Sequence, residues 1–253
     1  MTHNDRRIWL IQTLLAERGE AVEIPAGEET QKRLLRALLN VRPPVPPGEE
    51  FLRVQDAYLQ EETRRKGITN YKDLQPIQPG VCLWRGDITT LKCGAIVNAA
   101  NSQMLGCFVP GHNCIDNAIH TFAGVQLRME CAEIMRAQGY EEPTGMAKIT
   151  GAYNLPCEHI LHTVGPIVSG EATPRDEKQL EDCYISCLEL ARENGIKSVA
   201  FCCISTGVFS FPNRQAAEIA VDTVRKYRGN IEVIFNVYKD SDYEIYRELL
   251  GGN

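Results

Sequence analysis

Along the first quarter of the chain, apolar residues recur three and four positions apart, the period of an amphipathic helix. Ile8, Ile11, Leu14 and Leu15 form one stripe, with Asn4 or Asp5 placed to cap the helix that carries them. Leu34, Leu35, Leu38 and Leu39 form a second over residues 29–41. The run Arg42-Pro-Pro-Val-Pro-Pro-Gly48 ends that helix, because proline has no N–H to continue the ladder. Phe51, Val54, Tyr58 and Leu59 line a third helix over residues 49–66. Residues 68–80, with Pro76 and Pro79, read as an extended connector. The boundary falls there, giving a helical extension over 1–70 and a second domain over 71–253.

After Gly80 the rhythm becomes strand, loop, helix, repeated. Strands are expected over 81–84, 95–99, 146–151, 159–164, 198–204 and 231–237. Helices are expected over 115–137 with a break near Gly124, and over 176–193, 213–227 and 242–250. The helix over 176–193 carries Leu180, Tyr184, Cys187 and Ala191 on its inner stripe. Strands alternating with long helices specify a layered α/β fold with a parallel or mixed central sheet.

Composition narrows the class. With 253 residues, 43% hydrophobic and 24% charged, the chain has room for one large domain or a domain with an appendage. The net charge of −6 argues against a broad nucleic-acid or anionic-membrane surface. No run approaches the roughly 20 apolar residues of a membrane helix. No basic-then-apolar start suggests secretion, so a reducing cytoplasm is expected. That compartment disfavours a disulfide framework for the ten cysteines. Cys183 and Cys187, one helical turn apart, and Cys202 and Cys203, in a strand-like run, read as small core residues.

One stretch, 106–120, carries distinctive chemistry. It opens as a turn at Pro110 and Gly111 and closes as a helix with Ile115 and Ile119 on one face. Between lie Cys107, His112 and Cys114, a C-x4-H-x-C set. Thiolate and imidazole are the ligands zinc prefers, and a Cys2His set with an open position is found in catalytic zinc centres. The alternative from the residues alone is two small cysteines and a loop histidine. Further loops follow the expected strands: Arg85-Gly-Asp-Ile-Thr89, Asn98-Ala-Ala-Asn101 and Ser205-Thr-Gly-Val-Phe-Ser-Phe-Pro212. In α/β sheets ligands sit at such carboxyl ends, and small-residue turns feeding helices present N–H groups to phosphate. None matches a Walker loop or a Gly-x-Gly-x-x-Gly fingerprint.

Taken in order, six segments resemble the motif series of a macrodomain, the ADP-ribose-binding family, over about residues 81–250. They are Gly86-Asp-Ile-Thr89, Ala95-Ile-Val-Asn-Ala-Ala-Asn101, Ile115-Asp-Asn-Ala-Ile-His120, Lys148-Ile-Thr-Gly-Ala-Tyr-Asn-Leu-Pro156, His162-Thr-Val-Gly-Pro166 and Ile204-Ser-Thr-Gly-Val-Phe209. Most family members carry a run of glycines before a Val-Asp-Gly segment. Here Cys107-Phe-Val-Pro-Gly-His-Asn-Cys114 stands in its place. That substitution and the helical extension are similar to the zinc-dependent macrodomains of microbial protein-ADP-ribose hydrolases.

The resemblance implies a three-layer α/β/α macrodomain with a mixed sheet, one Zn2+ per chain on Cys107, His112 and Cys114, and ADP-ribose as ligand. It implies that Asp87 accepts the adenine amine beside the backbone of Ile88. Asn101 and Asp116 would face the distal ribose, with Cys114, Ile115 and Asn117 alongside. Ser205, Thr206, Gly207, Val208 and Phe209 would wrap the diphosphate, with Phe209 packing on the ribose side. The catalytic set would be Asn101, Asp116 and the three metal ligands. Each has a structural alternative: a turn or N-cap aspartate for Asp87, an Asx turn for Asn101, a dipole-facing carboxylate for Asp116 and a core aromatic for Phe209. Tyr238 is a candidate adenine platform. His120, His159 and His162 read as structural, His120 as hydrogen-bonded. The function so implied is a monomeric zinc-dependent hydrolase that removes mono-ADP-ribose from modified proteins, acidic-residue-linked, without nucleic-acid or membrane partners. The competing expectation is a non-catalytic ADP-ribose reader whose zinc shapes the loop. A thiol redox sensor is disfavoured by the absence of a C-x-x-C pair.

Overall fold

In the computed structural model, which describes residues 1–251, the first helix α1 (His3–Glu17) opens on a capping box. Thr2 Oγ1 accepts the Asp5 N–H at 3.1 Å, and an Asp5 carboxylate oxygen accepts the Thr2 N–H at 2.9 Å. Thr2, not Asn4 or Asp5, is therefore the cap. The stripe of α1 centres on Leu10, Ile11, Leu14 and Leu15, which leaves Ile8 half-buried at its margin. α2 (Glu28–Val41) and α3 (Glu49–Lys66) bury Leu35, Leu38, Leu39, Phe51, Val54, Tyr58 and Leu59 against it. Among the described residues, Val125 is the one buried side chain that the rest of the chain adds to this cluster.

The connector is more ordered than expected. β1 (Thr69–Asn70) pairs in parallel with a later two-residue strand, and β2 (Pro76–Gln78) forms the antiparallel edge beside β3 (Val81–Arg85). An edge strand tolerates Pro76, whose missing N–H breaks no central ladder. β4 (Leu91–Lys92) is the partner of β1. β5 (Ala95–Ala100) then runs through the core and feeds the loop that leads to α4 (Ile115–Ala123). Gly124, at φ +98°, separates α4 from α5 (Val125–Gln138). A Cβ at Gly124 would stand 2.7 Å from Gln55 Nε2, so close approach of α3 adds to the demand for glycine.

β6 (Ala147–Gly151), β7 (His159–Val164), α6 (Pro174–Glu193), β8 (Ser198–Phe201), α7 (Asn213–Tyr227), β9 (Glu232–Val237) and α8 (Asp240–Leu249) complete the domain. The main sheet has the order β2-β3-β9-β8-β5-β7-β6. β3, β9, β8, β5 and β7 are parallel, and β2 and β6 are antiparallel edges. Parallel central strands buried on both faces explain why Ala95–Ala100 and residues 233–237 are apolar on successive positions, interrupted only by the buried Asn98 and Asn236. α6, α7 and α8 pack side by side as one outer layer, and α4 and α5 form the other, with α2 and α3 resting on α4. This is the expected three-layer α/β/α arrangement with a mixed sheet. β8 is shorter than its apolar run, ending at Phe201 and leaving 202–212 as loop. No helix among the described residues is long and apolar enough to cross a membrane.

Candidate functional site

Five parallel strands place their carboxyl ends on one edge of the sheet, and the loops that leave them collect the expected site residues. Asp87 leaves β3 and caps the short helical turn Ile88–Thr90, accepting from Thr89 N at 3.0 Å and from Thr89 Oγ1 at 2.6 Å. Its other oxygen meets Lys66 Nζ, at the end of α3, at 3.0 Å. Partial burial pushes this carboxyl up. The Thr89 hydroxyl, Lys66 and the Thr89 N–H outweigh it, so the group is held below its ordinary range.

The loop after β5 holds the ribose-end candidates. Asn101 Oδ1 accepts Gln103 N–H at 3.1 Å, an Asx turn, while Nδ2 donates to Gly106 O at 3.1 Å and to an Asp116 oxygen at 3.3 Å. Asp116, 4% exposed in the first turn of α4, takes a 2.8 Å bond from Asn98 Nδ2 on its second oxygen. Burial pushes its carboxyl up to about 6, against the pull of the Asn98 amide and the Arg128 guanidinium. Gly106, at φ +82°, lets the chain pass His120: a Cβ there would stand 2.7 Å from the imidazole.

Cys107, His112 and Cys114 converge, with one ligand atom from each lying within 4.8 Å of the others. Cys107 Sγ and His112 Nδ1 are 3.6 Å apart. Two ligands at zinc–sulfur and zinc–nitrogen bond lengths in a tetrahedron stand roughly 3.6 Å apart, so the donor set and its spacing fit zinc. Cys114 also caps α4, its sulfur accepting Asn117 N–H at 3.3 Å. Burial pushes the Cys114 thiol up to about 12, the Asn117 bond pulling it back and Cys107 and Asp116 adding to the rise. A cation between the sulfurs would reverse that balance.

Three residues absent from the sequence expectations complete this loop. Arg36 Nη2, on α2, donates to His112 O at 3.0 Å and to Asn117 Oδ1 at 2.8 Å. Asn40, one turn further on, accepts Gly111 N–H at 2.9 Å. Arg128 donates to Leu105 O at 2.8 Å and lies 4.3 Å from the Phe108 ring centre. Asn117 itself, expected only alongside the ribose, is fully buried and donates to Cys107 O and Val109 O at 3.3 and 3.0 Å. Arg36 and Asn40 had one available signal, their i, i+4 spacing on the polar face of α2.

The loop after β8 turns at Ser205 and Ser210, at φ +63° and +57°. Phe211, at 1% exposure, is the core aromatic; Phe209 is half-buried and its carbonyl accepts Val168 N–H at 2.8 Å. The N–H groups of Gly207, Val208 and Phe209 donate to no backbone carbonyl among the described residues, which leaves them available to an anion. Ser205 is buried and its Oγ has no partner among them. Thr206 is folded back on Cys203 O at 3.0 Å. Val208 and Tyr238 are exposed, at 72% and 83%.

The histidines divide. His162 is fully buried and engaged at both nitrogens, by Asn98 at 3.1 Å and Thr150 at 2.9 Å, and burial pushes it down to about 3. His120 is also buried, but neither ring nitrogen has a hydrogen-bond partner among the described residues, contrary to the satisfied structural histidine expected. Its nearest carboxylate oxygen, on Asp116, is 3.6 Å away. His120, Cys131 and His162 also bring ligand atoms within 4.8 Å, but the engaged His162 nitrogens do not suit that trio to a metal. His159 lies half-buried at the start of β7.

The macro domain family matches residues 97–220. A protein-ADP-ribose hydrolase of Treponema medium is 57% identical over 260 aligned positions, covering 99% of this chain and 100% of that one. A variant of the Oceanobacillus iheyensis macrodomain with ADPR superposes with TM-score 0.62 at 38% identity, covering 68% of this chain and 91% of that one. The Trypanosoma brucei macrodomain in complex with ADP-ribose gives TM-score 0.64 at 28% identity, covering 85% of this chain and 95% of that one. Identity of that order across the full length, on this sheet order, shows that the chain belongs to the macrodomain family.

Proposed function

We propose that the protein is a zinc-dependent hydrolase that releases mono-ADP-ribose from acidic side chains of modified proteins. Support comes from relatives named as protein-ADP-ribose hydrolases and from neighbouring structures with ADP-ribose in place. The observation that carries the metal is the 3.6 Å Cys107–His112 separation inside a three-ligand cluster, two positions from Asp116. Cys107, His112 and Cys114 would hold the ion, and zinc there would supply Lewis acidity to an oxygen at the scissile bond.

The chain's own residues do the rest. Asp87 would accept the adenine amine on its exposed side, in competition with Lys66. The N–H groups of Gly207, Val208 and Phe209 would cradle the diphosphate, where fixed dipoles need no reorganisation. Asn101 and Asp116 would hold the distal ribose hydroxyls, and Asn98 fixes the Asp116 carboxylate for that contact. Water then adds across the bond between the ribose anomeric carbon and the carboxylate oxygen, giving ADP-ribose and the free acid.

Release assays on mono-ADP-ribosylated proteins of defined linkage test this reading. Release from aspartate- or glutamate-linked substrates, and not from serine- or arginine-linked ones, is expected. Tight binding of free ADP-ribose with no release from any of them would leave a reader instead.

A further inference from the structure

Helix α2 of the extension reaches across to the loop that carries the three candidate ligands. Arg36 grips Asn117 Oδ1 with Nε at 3.0 Å and Nη2 at 2.8 Å, and Nη2 also takes His112 O at 3.0 Å. Asn40, 1% exposed, accepts Gly111 N–H at 2.9 Å and donates to Thr121 Oγ1 at 2.9 Å. Thr121 in turn donates to Asn117 O at 2.7 Å. Asn117 Nδ2 donates to Cys107 O at 3.3 Å and Val109 O at 3.0 Å. The carbonyls of Cys107, Val109 and His112 and the N–H of Gly111 are thus tied to α2, or to a side chain that α2 holds.

The segment 107–114 has no helix or strand of its own, so besides its His112 N–H to Val109 O turn bond at 3.2 Å and the Phe108–Arg128 contact, these bonds order it. Without them, bringing two thiolates and an imidazole to one point would cost backbone freedom on every binding event. A guanidinium suits the task because its rigid planar fork holds two acceptors in one fixed geometry, whereas an ammonium is a point charge on a flexible stem.

We propose that Arg36, with Asn40, is a positioning residue that preorganises Cys107, His112 and Cys114 for the metal, so that the helical extension is part of the metal site. This rests on the zinc reading above. Positions that orient metal ligands change affinity by roughly 10- to 100-fold when removed. Arg36→Ala and Asn40→Ala, made in the full chain, should lose zinc to a chromogenic chelator faster by about that factor. Arg36→Lys should recover only part of it. Gln55→Ala serves as the control: it cuts the α3 contacts to Val125 N at 3.0 Å and Gln126 at 2.8 Å, loosening the same extension without touching the loop. It should lower Tm while leaving zinc transfer at the wild-type rate.

A folded Arg36→Ala that surrenders zinc at the wild-type rate would overturn the proposal. So would Gln55→Ala losing zinc as fast as Arg36→Ala, because the effect would then follow general loosening. If Arg36→Ala does not fold, Asn40→Ala and Arg36→Lys decide in the same way. Wild-type protein that takes up no zinc would overturn both this inference and the metal reading. Zinc-loaded wild type with unaffected variants would overturn this inference alone.

Discussion

Replacing Asp87 by alanine should separate ligand binding from chemistry. The carboxylate accepts two bonds from Thr89 and one from Lys66, so its removal has a structural and a functional part. Loss of the cap on Ile88–Thr90 costs about 1 kcal/mol of stability. The Lys66 pair is part-exposed, 31% and 43%, and contributes about 0–1 kcal/mol, so the domain should stay folded. A hydrogen bond from an adenine amine to an ionised acceptor contributes about 1.5–3 kcal/mol, because the alanine leaves the donor unpaired. That range converts to roughly 10- to 150-fold weaker ADP-ribose binding. Titration calorimetry with free ADP-ribose reads it directly, with a thermal melt to confirm folding. Release at saturating substrate should change little, since the contact holds substrate and transition state alike. A folded Asp87→Ala protein that binds within twofold of wild type would refute the assignment of the adenine end.

Limited proteolysis should leave residues 1–66 attached, since α1, α2 and α3 bury a shared core and α2 is bonded into the ligand loop. Rapid digestion of that region with an active remainder would make it a loose tail. Acid should destabilise the protein through His162, whose pKa falls from 6.5 when unfolded to about 3 when buried. Its contribution is complete above the unfolded value and is lost as pH falls, by about 2 kcal/mol near pH 5. Denaturant melts should show that loss in wild type and a flatter profile in His162→Gln; identical profiles would contradict it.

The elements with strong period were legible, and those fixed by tertiary contact were not. The helix over 49–66 and the strand over 159–164 follow directly from apolar spacing. β2 is three residues long, begins with proline and has no period, so only the sheet beside it defines it. The α1 cap shows how a local signal competes with its neighbours: Thr2 and Asp5 have capping-box spacing, yet Asn4 and Asp5 are also good cap residues by type. At the site, Cys107, His112 and Cys114 lie within one short stretch of sequence, so the cluster is legible as a candidate even though the bonds that order it come from elsewhere. Arg36 bonds partners 76 and 81 positions away, and Asn40 partners 71 and 81 positions away. Both lie on a polar helix face that reads as solvated. The unpartnered nitrogens of His120 are not legible, because sequence carries no record of which buried nitrogens find partners.

Zinc content and ADP-ribose release, measured on one preparation, test the central claim most directly. Wild type should carry about one zinc per chain and release ADP-ribose from mono-ADP-ribosylated protein. Cys114→Ala, or chelated wild type, should lose most release while binding free ADP-ribose with modest weakening. The N–H groups of Gly207 to Phe209 and the carboxylate of Asp87 stand on other loops and persist. Metal-free protein that cleaves at the wild-type rate would contradict the account.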